Sequence, residues 1–391
     1  MTSSSYNKEQ LAAKLYSSIK PFVFYSQLLC SVPYPVATLQ SSCHLSFVYR
    51  SNFKQARCLL TAALMICIII CNLMGVIQMA SIPMPFFTTT LYINEIALCA
   101  IVSLLTVTRS YRKDVAYDRF LQRVLTIGCA LHRHEWEELL SYLCRRLKCV
   151  CALLATLFAG ALACDFYHFG SIYTTLFTFA AYVMPNILVA LSLLQYAYGV
   201  LLIYKLQQRF NCRLAIRELV PESELLHWIE QCESYYLQLA ACIEHITQSF
   251  GLLIVTNTFA TINVISLQLL EIYQYLQTND SKPIYIAYNL LWIGMQSVLL
   301  VLPLYPNQLL KREVGGDITR VRITHYGMLT LIRKEVCVKA CGILTLDLSS
   351  VASIFAALLS FVIIMIQFDQ TNVNKNPGAV TAFDTLYSSK S

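Results

Sequence analysis

Ser349, Ser353, Ala356, Ser360, Ile363 and Gln367 follow one another at alternating steps of four and three residues, inside a run that is otherwise Leu, Ile, Val, Phe and Met. That spacing lays them along one helical face. Hydroxyls and an amide solvate a passing ion where leucines cannot, so the stripe suits the wall of a water-filled passage. Small residues equally allow two helices to approach closely. Gln367, with Phe368 beside it and Ile363 one turn earlier, has the make-up of a gate. No acidic ring accompanies the stripe, so discrimination among cations is expected to be weak.

A second set of polar groups interrupts other apolar runs. Glu95 sits at the centre of one, and Asn257 with Thr261 and Gln296 lie at similar depth in two more. Groups of this kind inside a bilayer mark either a ligand or gating contact or a structural hydrogen bond between helices. Asp165, Tyr167 and His168 close a further run, while Tyr288, Asn289 and Trp292 open another. Apolar faces with a few directed polar groups are what a small-molecule pocket needs. They are also what an interfacial aromatic belt provides. His168 has no second ligand at helical spacing, so no metal site is expected. There is no His-Glu-x-x-His, Gly-x-Ser-x-Gly or P-loop, and neither an enzyme nor a cofactor is expected.

The elements that must hold these residues are membrane helices. Charged residues make up 13% of the 391 and hydrophobic ones 57%, against roughly 25% and 45–50% in a soluble domain. A helix crosses the hydrocarbon core with about 20 apolar residues. Seven stretches qualify: 58–80, 85–107, 149–168, 171–193, 250–272, 284–304 and 348–368. Residues 21–36 are apolar but broken by Pro33 and Pro35, and are read as an interfacial or re-entrant helix. Lys8, Glu9 and Lys14 argue against a secretory signal. The sixteen cysteines lack zinc-site spacing and are read as free thiols.

Of the 29 Lys and Arg residues, 26 fall before the first span or in the links 2–3, 4–5 and 6–7. Positive residues stay inside, which puts the N-terminus in the cytosol and the C-terminal tail, 369–391, outside. The +7 net charge belongs to that face and needs no nucleic-acid partner. The inner links are long and patterned as amphipathic helices over 117–147 and 223–250, so spans four, five and six are expected to continue into the cytosol. Asn279-Asp280-Ser281 is a glycosylation acceptor in the one outer link of useful length. The domain plan is therefore 1–57, a seven-helix unit over 58–368, and a tail.

Seven spans with the N-terminus inside is the inverse of a G-protein-coupled receptor. Asp118-Arg119-Phe120 resembles that family's triplet, but follows span two by about ten residues, and no Asn-Pro-x-x-Tyr closes the last span. The inverted order resembles the insect chemoreceptors. Ala340-Cys341-Gly342-Ile343-Leu344-Thr345-Leu346-Asp347 is similar to the Gly, aliphatic pair and Asp that precede the last span of insect gustatory receptors. Ser360-Phe361-Val362-Ile363-Ile364-Met365-Ile366-Gln367-Phe368 is similar to their closing Thr-Tyr, five apolar residues and Gln-Phe, with Ser360 for Thr and Phe361 for Tyr. The resemblance implies a ligand-gated cation channel in the plasma membrane of sensory neurons. It implies a tetramer, homomeric or with related subunits, embedded in membrane lipid, with the last helix lining the pore and a small tastant bound among the outer helix halves. No acidic residue lies in 362–366, which leans toward bitter or pheromone-like ligands. An odorant-type receptor subunit and a membrane transporter are the alternatives, the latter lacking a visible internal repeat.

Overall fold

The structure, a computed structural model, describes residues 8–28, 36–38, 45–47, 51–81, 86–111, 115–169, 172–215, 225–277, 283–316, 339–340, 344–345 and 348–375. Among these the chain is helical apart from two short antiparallel ribbons. Strand β1 (Val36–Thr38) pairs with β2 (Leu45–Phe47), Val36 opposite Phe47, and β3 (Lys339–Ala340) pairs with β4 (Leu344–Thr345), Lys339 opposite Thr345. The helices are α1 (Lys8–Leu28), α2 (Ser51–Ser81), α3 (Phe86–Tyr111), α4 (Val115–Gly128), α5 (Arg133–Phe169), α6 (Ile172–Thr178), α7 (Met184–Ala215), α8 (Leu225–Gln277), α9 (Pro283–Gly316) and α10 (Leu348–Lys375). Helices α2, α3, α5, α7, α8 and α9 are long and apolar enough to cross a membrane, and α10 carries a shorter apolar stretch, Ala352–Ile364. The seven expected spans thus fall in seven helical passages. The sequon Asn279 lies outside the described residues.

Four details differ from the sequence pattern. The stretch 117–147 is not one helix: it breaks after Gly128, and Cys129–His132 turn the chain into α5. The restart is capped, since the Glu135 Oε2 accepts from the His132 backbone N–H at 2.9 Å, half of a capping box. The same α5 then runs without interruption into span three, so this span too extends beyond the membrane. Of residues 21–36, the part 21–28 is the end of a longer helix, and 29–35 lie outside the described residues. The chain makes α1 from Lys8 to Leu28, because Leu11 and Leu15 sit one turn apart and bury against the α4–α5 layer; apolar length alone had pointed only to the later residues. Span four is two helical pieces, α6 and α7, joined by a π-helical turn over Phe179–Val183. Pro185 explains the turn. It has no N–H and its ring crowds the carbonyl four residues back, which a widened turn relieves.

Basic residues gather where α3, α7 and α9 end and α5 and α8 begin. Arg109 of α3 stacks on the Phe250 ring of α8, 3.4 Å from guanidinium carbon to ring centroid, and donates to Ser249 Oγ at 3.0 Å. Lys14 pairs with Glu137 at 2.6 Å, and Arg209 pairs with Glu138. In this half Leu11, Phe120, Trp136, Leu143, Tyr196 and Phe250 are buried together, in an apolar core that continues through Phe158 and Val183 as far as Trp292. Away from it the outward faces are bare. Leu59, Ile66, Leu73 and Ile77 of α2 are exposed, a surface that only lipid or another protein covers.

Gly199 of α7 marks the closest approach in this core. A Cβ there drives into the Ile246 side chain of α8 and meets Phe120 of α4 at 3.2 Å. Gly199→Ala is expected to destabilise the protein by about 1–3 kcal/mol through overpacking, read as a lower unfolding midpoint in detergent. Adding Ile246→Ala is expected to recover part of the loss. An unchanged midpoint for the single variant would show that Ile246 swings aside freely.

Candidate functional site

The polar residues expected inside the membrane fall into two groups. The first is a chain of hydrogen bonds built on the π turn. Asn186, one residue after Pro185, donates from Nδ2 to the Tyr182 carbonyl at 2.8 Å. Its Oδ1 accepts from Gln296 Nε2 of α9 at 2.9 Å, and Gln296 Oε1 accepts from Thr261 Oγ1 of α8 at 3.3 Å. Asn257 joins Asn186 and Gln296 around a pinch of space of about 10 Å³, lined also by Cys99 and Val102 of α3. That volume is about one water molecule. Glu95 of α3 is 6% exposed, within electrostatic range of Tyr182 and Cys99. Four helices thus meet here, α7, α8 and α9 through Asn186, Thr261 and Gln296 and α3 through Cys99 and Val102, with Glu95 nearby. Asn186 was not singled out in the sequence, although its place directly after a mid-span proline was the available signal.

The second group lies between α5 and α9, beyond the first as seen from the basic end. Asp165 is 1% exposed and faces Tyr288, whose ring meets Trp292 edge-on at 6.3 Å. Asn289 is fully buried. Both polar atoms of Asn289 are buried without a hydrogen-bond partner, and the Asp165 carboxylate and Trp292 indole nitrogen have only the Tyr288 hydroxyl near them. Buried polar atoms in native proteins are normally satisfied. Tyr288 lies within hydrogen-bonding reach of both Asp165 and Trp292, so the buried acid, phenol and indole form one polar cluster, with the Asn289 amide beside them on α9. Tyr167 does not join this group: it points outward, 72% exposed. His168 is helical in backbone, and its side chain is outside the described set. A buried acid missed in the sequence is Glu271 near the end of α8, which accepts from the Tyr285 hydroxyl at 2.9 Å. Its partner fourteen residues on, across the α8–α9 link, gave no local pattern.

The stripe of α10 is displayed as its spacing required. Leu358 and Val362 bury against Ile265 of α8, and Ser353, Ala356, Ser360, Ile363 and Gln367 lie on exposed faces. Ser360 Oγ donates to the Ala356 carbonyl at 3.0 Å, which leaves its lone pairs outward. The Phe368 side chain is not among those described. No group of three or more possible metal ligands occurs among the described residues.

A family model described as 7tm Chemosensory receptor matches residues 19–372. No curated protein matches the sequence significantly. Among solved structures, the insect olfactory receptor OR5 from Machilis hrabei is similar with a TM-score of 0.67 at 12% identity, over 91% of this chain and 99% of that one. The same receptor in complex with eugenol gives 0.66 at 11% identity, with equal coverage. At these identities the likeness establishes the fold.

The Asn186–Gln296 bond is expected to carry stability. Gln296→Leu removes it together with the Thr261 bond and is expected to cost about 0.6–2 kcal/mol. In a double-mutant cycle with Asn186→Leu, measured by unfolding in lipid discs, the combined loss is expected to be smaller than the sum. Strict additivity would show that the two amides are not coupled.

Proposed function

The chain belongs to the 7tm chemosensory receptor family, and from that premise we propose that it is a gustatory-type receptor working as a ligand-gated, weakly selective cation channel. Its basic end lies in the cytosol, as the 26 to 3 division of Lys and Arg supports. Copies assemble as a tetramer around α10. A small tastant, bitter or pheromone-like, enters from the opposite end and satisfies Asp165, Asn289 and Trp292. The motif over 360–368 supports the gustatory assignment. An odorant-type receptor is the second reading. The fold likeness to an olfactory receptor, one of whose structures holds eugenol, favours it.

One observation carries the channel reading: α10 turns a small and polar stripe away from its own bundle. Within a single subunit this face has no packing role. Lined up around an axis, Ser353, Ser360 and Gln367 place hydroxyls and amides where ions pass, and Ile363 narrows the way. Binding at Asp165 is linked to that axis through α9, which touches α5 on one side and α10 on the other. A ligand changes the α10 arrangement only by the difference in its affinity for the open and closed states.

Cysteines at Ser353, Ser360 and Gln367 are expected to let a water-soluble thiol reagent block ligand-evoked current, beyond any effect on the parent chain with its native thiols. A cysteine at Leu358, buried against α8, is expected to stay silent. Equal protection of both sets would place the pore elsewhere. The pocket makes a separate prediction. Asp165→Asn and Trp292→Leu are expected to shift the dose–response curve at least tenfold while surface expression holds, because each removes a group aimed at the ligand. Dose–response curves unchanged in both variants would remove this cluster from ligand binding. Volatile and non-volatile panels, tested on cells expressing this chain alone, separate the two receptor types.

A further inference from the structure

Helices α5, α7 and α9 do not close on one another near the basic end. They leave a cavity of about 420 Å³, with exposed Leu153 and Tyr305 at its edge. Its walls are apolar: Leu147 and Val150 of α5, Leu194 and Leu201 of α7, Val301 of α9. Along α9 the lining runs from Ser297 to Pro306, about 14 Å of helix and close to half of a hydrocarbon core of about 30 Å. The one charged residue in the lining is Arg146, at the basic rim. There the Tyr142 ring collects two cations: the Arg146 guanidinium carbon lies 5.5 Å from its centroid and Lys205 Nζ lies 4.2 Å from it. Neither cation pairs with a carboxylate among the described residues. Lys205 donates to Gln208 Oε1 at 2.7 Å. The nearby acids are occupied, Glu138 by Arg209 and Glu313 by Asn211 Nδ2 at 3.1 Å.

We propose that this groove binds an anionic glycerophospholipid from the leaflet at the basic end, one acyl chain lying between α5, α7 and α9 and the phosphate resting against Arg146 and Lys205. The naming of that leaflet as cytosolic rests on the orientation proposed above. The chain supplies fit, one leaflet deep, but no preference, because every membrane lipid has one. Preference comes from the head. Two cations held together at an apolar rim attract a net negative head group, while a zwitterionic head brings its own cation. A polar tastant would meet walls that are mostly apolar, with the Ser297 hydroxyl and the tyrosines as their few polar groups. A second copy of the chain has no excess of acid at its basic end to meet these two cations, whereas an anionic head group does. The occupant also braces α9 where Pro303 and Pro306 interrupt its ladder.

The test uses full-length protein in a neutral detergent, titrated with dioleoylphosphatidylserine, dioleoylphosphatidylcholine or inorganic phosphate. Native mass spectrometry counts bound lipid and the unfolding midpoint is followed. Phosphatidylserine is expected to bind saturably, at least tenfold tighter than phosphatidylcholine, and to raise the midpoint. Arg146→Gln with Lys205→Gln is expected to erase the preference. Leu194→Trp, which fills the wall, is expected to weaken both lipids. Lys311→Gln with Arg312→Gln removes equal charge from the same end and is expected to keep the preference. Equal binding of the two lipids by the unaltered protein overturns the proposal without any variant. So does equal loss in the Lys311 and Arg312 control, or full stabilisation by inorganic phosphate alone. Loss of an oligomer with Leu194→Trp, in place of loss of lipid, would assign the groove to a second copy. Sidedness has no meaning in detergent, so the orientation fails separately: an N-terminal tag reached by antibody in unpermeabilised cells would overturn it and leave the head-group result untouched.

Discussion

Pro185 has no amide hydrogen to give to the turn before it, and it sits in the middle of a membrane passage where no water makes up the loss. An unsatisfied backbone group in hydrocarbon costs several kcal/mol. The chain answers with a π turn, and one residue on the Asn186 side chain donates to the Tyr182 carbonyl. That choice has consequences across the bundle. With Nδ2 committed, the Asn186 carbonyl oxygen needs a donor, which Gln296 supplies from α9, and Gln296 in turn takes the Thr261 hydroxyl from α8. Side-chain hydrogen bonds beside the turn thus tie one passage to two others. The same widened turn brings Tyr182 to Glu95 of α3. Bulges of this type recur at functional positions because they hold side chains that a regular helix cannot aim.

The molecule is built by different physics at its two ends. At the basic end helices extend past the membrane and pack as a soluble bundle does, around Phe120, Trp136, Leu143 and Phe250, with ion pairs on the rim. Water drives that burial. Within the bilayer there is no such drive, since lipid is as apolar as leucine, and helices hold by shape and sparse hydrogen bonds. Asn263 to the Leu91 carbonyl at 3.0 Å and Gln274 to Thr88 Oγ1 at 3.3 Å are examples between α3 and α8. A firm end joined to a lightly held one suits a receptor.

Much of this was legible in the residues. Seven long apolar runs, the gathering of Lys and Arg at alternate links and the 4–3 stripe on α10 are periodic or compositional signals. Each comes from a rule that acts on the chain locally: hydrocarbon thickness sets run length, and the helical repeat sets which side chains share a face. The depths of Glu95, Asn257, Thr261 and Gln296 followed from the same count, and the structure brings Asn257, Thr261 and Gln296 to one place. Tyr167 failed to join Asp165 because neighbouring positions on a helix point about 100° apart, and sequence proximity does not predict a shared face.

What the sequence by itself determined is therefore the class of protein, its number of passages, which end is basic and which face of α10 is polar. The tertiary structure decided the rest. It placed the break after Gly128, buried α1 through Leu11 and Leu15, paired Glu271 with Tyr285 and gathered Asp165, Tyr288 and Trp292 into one buried polar cluster. It also left open the groove that Arg146 and Lys205 border. These depend on which helices become neighbours, and contacts between residues far apart in the chain leave no periodic trace in it. Local rules specify helices and their faces; a cavity exists only where three of them fail to meet.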